Sequence, residues 1–261
     1  MKKFLVAAVC LVVCFSMCFG AICETGADLA ARFEEGTVEK DGVNYRLRKR
    51  LSSTLIICTE TIEGVATPGF MCILSTEDNE KVISVAYLDT MVLCADEGEN
   101  SDLTLSELFI EKLPGADPKA AGAAVLEEVN ALIGETLVGD YLVFDVAGLE
   151  TIEGLPECDV TGLDRIESMK ARLKNAKNYA ETLPSDSATD LIGKLSAFLA
   201  TEMKSGALIK IADKAERYQT NPSIHLEAAP ETDADGREYI RLEPGRLFDT
   251  LFDIFYEVNP Y

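Results

Sequence analysis

Apolar residues along this chain fall into short β-branched runs in the first half and into helical spacing in the second. Leu55-Ile56-Ile57-Cys58 is a continuous apolar run, the pattern of a strand covered on both faces. Phe70-Met71-Cys72-Ile73-Leu74 and Val82-Ile83-Ser84-Val85-Ala86-Tyr87 flank a polar turn, Glu77-Asp78-Asn79-Glu80, and predict two paired buried strands. The second strand runs into Leu88-Asp89-Thr90, placing a carboxylate where a strand end opens onto the cleft of an α/β sheet. Upstream, Asp41-Gly42 separates two alternating runs and signals a hairpin, because both turn positions need positive φ. Met91-Val92-Leu93-Cys94 then gives way to an acidic loop, Asp96-Glu97-Gly98-Glu99-Asn100.

Helical spacing follows. Residues 104–113 predict a short helix, and Asp117-Pro118 opens another that runs to Gly134 with Val125, Val129, Leu132 and Ile133 on its buried face. Tyr141-Leu142-Val143-Phe144-Asp145-Val146 is the next strand. Residues 163–180, 188–204 and 207–218 read as helices separated by Pro184 and Gly206, and 27–33 as a short one near the start. Asp235-Gly236 repeats the hairpin signal before Tyr239-Ile240-Arg241-Leu242, and Pro244 opens a final amphipathic helix with Leu247, Leu251, Ile254, Phe255 and Val258 facing inward. There is no internal repeat, and one domain is the simplest account.

The first 23 residues read as an export signal. Met1-Lys2-Lys3 supplies the positive start, Phe4 to Ile22 is almost wholly apolar, and small residues near Gly20 predict cleavage close to Ala21. The competing readings are an uncleaved anchor, since the run approaches bilayer length, and a lipoprotein with Cys23 as the modified residue. The lipoprotein ranks below cleavage, because Ile22 puts a bulky residue directly before that cysteine. Export places the remainder outside the cytoplasm, with membrane contact expected only through this segment. Residues 24–52 form an N-terminal helix and hairpin extension to the body at 53–261.

Charge narrows the partners. The formal net charge is −21, which repels nucleic acid, anionic headgroups and teichoic-type polymers wherever no local basic patch intervenes. Arg46-Leu47-Arg48-Lys49-Arg50 is the clearest basic run; it reads as the solvated face and edge of a strand and is the one obvious anion-attracting patch. Of eight cysteines, Cys10, Cys14 and Cys18 lie in the signal and Cys23 at its end. Cys58, Cys72, Cys94 and Cys158 show no CxxC spacing, and the chain has one histidine, so zinc is not expected. Buried free thiols are the default, with one bridge between neighbouring strands as the alternative in an exported chain.

The candidate chemistry has bland readings beside it. Asp89 either caps a turn or serves a site. Neither Asp96-Glu97-Gly98-Glu99 nor Asp233-Ala234-Asp235-Gly236-Arg237-Glu238 has EF-hand spacing, and the second is explained by a hairpin turn. His225 follows Asn221-Pro222-Ser223 in an expected loop without a nucleophile spaced for activation. Tyr141 and Phe144 read as sheet core.

The order of these elements resembles the LytR-CpsA-Psr family of exported cell-wall phosphotransferases. Leu55-Ile56-Ile57-Cys58-Thr59-Glu60 sits where that family has an apolar strand ending in Gly-Thr/Ser-Asp, and Asp89-Thr90 matches the end of its Arg-Asp-Thr. Asp140-Tyr141-Leu142-Val143-Phe144-Asp145-Val146-Ala147-Gly148-Leu149 is similar to its "hydrophobic-Val-Asp-Phe-x-Gly-Phe" strand. The resemblance implies a three-layer α-β-α sandwich with a central mixed sheet, and a hydrophobic groove for a polyprenyl pyrophosphate gripped by arginines and magnesium-bound carboxylates. Phosphoryl transfer needs those cations, because charge on the oxygens must be neutralised and the reacting groups held in line.

The cations are largely missing here. Leu88 stands in place of the Arg of Arg-Asp-Thr, Ala66-Thr67-Pro68-Gly69 replaces Arg-x-Asp-Thr, and Tyr179-Ala180-Glu181-Thr182-Leu183 replaces Tyr-Val-Arg-x-Arg. Where the family has Asp-x-x-Arg-x-x-Arg-Gln, Lys194 is the one basic remnant. The resemblance therefore implies a degenerate member, a non-catalytic binding or accessory protein with no cofactor expected. Its partners would be an apolar or polyprenyl lipid or an envelope protein, and no nucleic acid. The alternative is a magnesium-dependent phosphotransferase with a rearranged site built from Asp89, Lys194 and some of Arg48, Arg165 and Arg172, with Thr90 beside the ligand. That alternative requires those cations to converge on one phosphate-sized pocket beside Asp89.

Overall fold

The structure, a computed structural model, describes residues 37–95, 100–113, 117–182, 195–226 and 228–259. The signal segment and the helix expected at 27–33 lie outside the described residues. In chain order the strands are β1 (Thr37–Lys40), β2 (Val43–Leu47), β3 (Leu51–Ile62), β4 (Val65–Glu77) and β5 (Val82–Leu88). Helices α1 (Leu105–Glu111) and α2 (Pro118–Ile133) precede β6 (Asp140–Asp145), and α3 (Arg165–Thr182) precedes β7 (Leu199–Ala200). Then come α4 (Ser205–Arg217), β8 (Gln219–Thr220), β9 (Ile224–His225), β10 (Glu231–Thr232), β11 (Glu238–Tyr239), α5 (Arg246–Phe255) and β12 (Tyr256–Val258).

A seven-stranded mixed sheet runs β7-β6-β3-β4-β5-β8, with β9 also against β5. β3, β4 and β5 form an antiparallel meander, while β6 lies parallel to β3. Alternation along β3 explains its continuous apolar run: Ile56 and Cys58 join one buried cluster with Phe70, Phe144, Met169 of α3 and Ile211 of α4. Leu55 and Ile57 join the other, with Phe109 of α1, Val125 and Val129 of α2, and Phe255 of α5. Helices on both faces make the three-layer sandwich expected from the sequence. The sheet interior buries Tyr141 and Phe144, at 4% and 0% exposure, as core.

The local signals behave as their chemistry requires. Asp41 and Gly42 adopt φ of 54° and 76° between β1 and β2. β12 pairs with the far side of β2, Tyr256 opposite Leu47, and completes a separate three-stranded sheet. Asp117 caps α2 with Pro118 at its first turn, and Gly134 closes it at φ 84°. Thr104 and Glu107 form a reciprocal capping box on α1: the Glu107 amide donates to the Thr104 hydroxyl at 3.2 Å, and the Thr104 amide to the Glu107 carboxylate at 2.7 Å.

Three expectations need correction. The helix read over 188–204 does not extend through its described part: Leu199–Ala200 is strand β7, antiparallel to β6. Backbone pairing prevails there, because β6 would otherwise leave a buried edge; the Asp145 amide donates to the Phe198 carbonyl at 3.0 Å. Val258 is not on the inner face of the last helix, which ends at Phe255; it lies on β12, 58% exposed. His225 is not in a loop, because β9 pairs it with Tyr87.

α2 approaches the sheet at Gly122, where an added Cβ would sit 2.6 Å from the Tyr141 ring and 2.9 Å from Val143. Both neighbours are held on β6, so Gly122→Ala is expected to destabilise the fold by roughly 1–3 kcal/mol, read as a lower urea midpoint. At the capping box, burial raises the Glu107 carboxyl, but the Thr104 amide and hydroxyl and the Arg237 guanidinium outweigh it and hold the group below the usual carboxylate range. A carboxyl depressed by folding contributes stability above its unfolded pKa and loses it as pH falls through the folded value. Thr104→Ala should therefore cost about 1 kcal/mol at neutral pH, with a smaller cost below about pH 4. Urea titrations at pH 7 and pH 3 would check both halves.

Candidate functional site

β3, β5 and β6 all point the same way, so their carboxyl ends share one edge of the sheet. That edge gathers Glu60 from β3, Asp89 and Thr90 after β5, and Asp145 at the end of β6. The start of β4 lies beside them, with Thr67 opposite Glu60 and Pro68 opposite Thr59 across a register shift. The first turns of α3 cover it. Strand ends of this kind are where α/β sheets place ligands.

The carboxylates are mostly occupied. One Asp89 oxygen accepts the Met91 amide at 2.9 Å, and the Asp89 carbonyl accepts Val92 N–H at 3.3 Å, so Asp89 closes a turn. The Thr90 carbonyl accepts the Ser106 amide at 3.0 Å, linking this turn to α1. Asp145 accepts the Ala147 amide at 2.9 Å and starts a short 3₁₀ helix, Val146–Thr151. Glu60 is ion-paired with Arg165, whose guanidinium also donates to the Thr67 carbonyl at 3.0 Å. Gly69 makes room for the helix at this point, because a Cβ there would collide with Met169 at 2.1 Å.

Of the cations named for a rearranged site, Arg48, Arg165 and Arg172 are among the described residues, and Arg165 alone of these three belongs to this edge. Leu88, in the place of the expected arginine, is 3% exposed and packed in the core with Met71. Arg48 precedes β3 and so lies at the opposite edge, where it pairs with Glu80 at 3.1 Å and donates to the Asp253 carbonyl at 3.3 Å. Arg165 is bound to Glu60, Arg172 is half-buried further along α3, and Lys194 lies outside the described residues. Tyr179 donates to the Glu153 carbonyl at 2.9 Å, away from Asp89.

Spacing in sequence did not reveal a second cluster at this edge. Tyr87 stacks on His225 with centroids 4.8 Å apart and 19° between the rings, and Lys170 lies over the Tyr87 ring at 4.0 Å. Phe70 meets the same ring edge-on at 6.3 Å. Alternation in β5 is the one signal that could have shown it, since it turns Tyr87 to the α3 face and Leu88 away.

Among the described residues no group of three or more His, Cys, Asp or Glu side chains is placed to hold a metal ion. Asp233 spends one carboxylate oxygen on the Asp235 and Arg237 amides, both at 2.9 Å, as a hairpin turn requires. The Asp96 to Glu99 stretch lies outside the described residues. Cys58, Cys72 and Cys94 are buried free thiols and Cys158 is a half-buried one. Burial pushes the Cys58 thiol well up, with Cys72 adding to it, and burial with the nearby Glu128 and Glu107 charges pushes Cys94 up to about 12. Neither is a nucleophile at neutral pH.

A cavity of about 740 Å³ lies on the other face of the sheet, between the end of α2, the segment after β5 and the start of α5. Leu93, Ala131, Ile133, Leu242, Pro244 and Phe248 give it apolar walls, with Glu135, Arg241 and Glu243 among its polar lining.

The sequence matches no protein-family profile and no curated protein. Solved structures do match. TagV of Bacillus subtilis aligns with a TM-score of 0.53 at 11% identity, covering 78% of this chain and 95% of TagV. The Streptococcus agalactiae protein gbs0355 aligns at 0.52 and 13%, over 78% of this chain and 86% of its own. The B. subtilis transcriptional regulator yvhJ aligns at 0.50 and 10%, over 78% and 95%. Identity this low establishes architecture alone. The chain therefore has the LytR-CpsA-Psr fold, with the mixed central sheet and helical layers that the order of its motifs implied.

Proposed function

We propose that this chain is an exported cell-envelope protein that keeps the LytR-CpsA-Psr fold as a non-catalytic binding or accessory module. The observation that carries the reading is the charge balance at the strand-end edge. Glu60, Asp89 and Asp145 all stand along this edge, Arg165 is neutralised by Glu60, and Leu88 fills an arginine's place with buried hydrocarbon. A pyrophosphate set among these acids would face repulsion without the bidentate guanidinium contacts that normally bind it. Apolar ligands have a separate home in the cavity on the opposite face, whose volume lies within the roughly 300–1,000 Å³ range of small-molecule sites. An envelope protein is the alternative partner for an accessory role.

The rearranged-site reading keeps one supporting observation, since Arg165 and Lys170 both belong to this edge. It requires Arg165 to exchange Glu60 for phosphate. Incubating the purified chain with a polyprenyl pyrophosphate-linked saccharide, a peptidoglycan acceptor and magnesium separates the two. No transfer is expected; turnover that disappears in Asp89→Ala would overturn the non-catalytic reading.

The turn-closing role of Asp89 has its own signature. Asp89→Ala removes the acceptor of the Met91 amide and should lower stability by about 0.5–1.5 kcal/mol, whereas Asp89→Asn keeps an acceptor oxygen and should lose less. Thermal unfolding of the two variants beside the parent chain would check the order.

A further inference from the structure

The basic run at 46–50 is left over by this reading, and the fold places it at the edge of the sheet opposite Asp89. Arg46 pairs with Glu257 at 2.8 Å and Arg48 with Glu80 at 3.1 Å. Lys49 and Arg50 are exposed and enter no ion pair among the described residues. The Arg50 carbonyl accepts the Asp78 amide at 3.1 Å, which holds the β4–β5 turn against the run. Lys81 ends that turn at φ 55°, exposed, and supplies a third cation without an acidic partner among the described residues.

Three acids of this corner are already engaged. Glu77 accepts the turn amides of Asn79, at 3.0 Å, and Glu80. Asp78 takes the Lys214 ammonium at 2.5 Å and the Tyr218 hydroxyl at 3.0 Å. Glu80 belongs to Arg48, whose guanidinium also takes the Asp253 backbone carbonyl, so the Asp253 carboxylate is the acid of this corner that enters no ion pair among the described residues. In a chain of net charge −21, this corner presents cations outward.

The path of the chain gives an independent reason to look here. Thr37 pairs with Arg46, so β1 begins beside the basic run, and residues 1–36, with their apolar stretch, join the domain at this corner. We propose that the apolar stretch is retained as a membrane anchor and that Lys49, Arg50 and Lys81 dock on the anionic phospholipid surface beside it. Screening limits contact to charges within about 10 Å of the headgroups. The acidic carboxylate-bearing surfaces are repelled, and this corner, beside the start of β1, turns toward the bilayer. The edge with Glu60 and Asp89 is then held on the side away from the membrane, a restriction on orientation that goes beyond the proposed function.

Amine labelling of the full chain on vesicles tests this. Lys49 and Lys81 should react markedly more slowly with an acetylating reagent on phosphatidylglycerol–phosphatidylcholine vesicles than on phosphatidylcholine alone, as read by mass spectrometry. Lys119, exposed at the start of α2, should react equally on both. Each cation should contribute roughly five-fold to the association, so Arg50→Glu should restore most of the labelling without moving the unfolding midpoint. Raised salt should do the same. Equal labelling on both vesicles, protection of Lys119 alongside the others, or protection by soluble polyphosphate without protection by vesicles would each overturn the proposal.

Discussion

β3 exchanges backbone hydrogen bonds with β4 on one side and β6 on the other while helices cover both its faces. A strand enclosed in this way carries an unpaired polar side chain only at a penalty of about 1–3 kcal/mol, so its middle is given over to Leu55, Ile56, Ile57 and Cys58, with the buried Thr54 hydroxyl, unpartnered among the described residues, as the exception. Polar groups are displaced to its ends. Ser53 meets Ser75 at 2.7 Å near one end, and Thr59 and Glu60 stand at the other. The carboxylate candidates Glu60, Asp89 and Asp145 accordingly stand at or just past strand ends.

The same enclosure decides how much could be read in advance. Continuous apolar runs, an Asp-Gly hairpin, an Asp-Pro cap and a glycine stop are local physics, and β3 to β6, α1, α2 and the β1–β2 hairpin appear where those signals put them. β7 was missed because Phe198-Leu199 continues a helical spacing, whereas the edge of β6 needed a partner and took two residues as strand. Val258 was misplaced for a related reason: the apolar period runs on past Phe255, but Tyr256 turns into the ladder of β2. In both cases a distant edge overrode local propensity.

The site was legible in part. The loss of arginines could be read position by position, because it concerns which residues are present. What the remaining charges do could not, since Arg165 and Glu60 are 105 positions apart and Lys170 meets Tyr87 across the helix–sheet interface. Asp89 illustrates the difference. Its address at a strand end was apparent from the pattern, but its occupation by the Met91 amide depends on a turn that the sequence alone does not resolve. The two edges of the sheet consequently differ in kind: one carries carboxylates and an arginine neutralised by Glu60, and the other carries Lys49, Arg50 and Lys81, which enter no ion pair among the described residues.

The small sheet of β1, β2 and β12 bears on the order of folding. Arg46 and Glu257, joined across this sheet, are 211 positions apart. A chain emerging amino end first therefore presents Tyr45 and Leu47 long before Tyr256 exists to cover them. Contacts this distant in sequence slow folding and leave strand edges open while they wait. The domain closes only when its last few residues arrive, so a product truncated before residue 256 would keep the central sheet but carry an open β2 edge, the kind of surface that recruits a second copy.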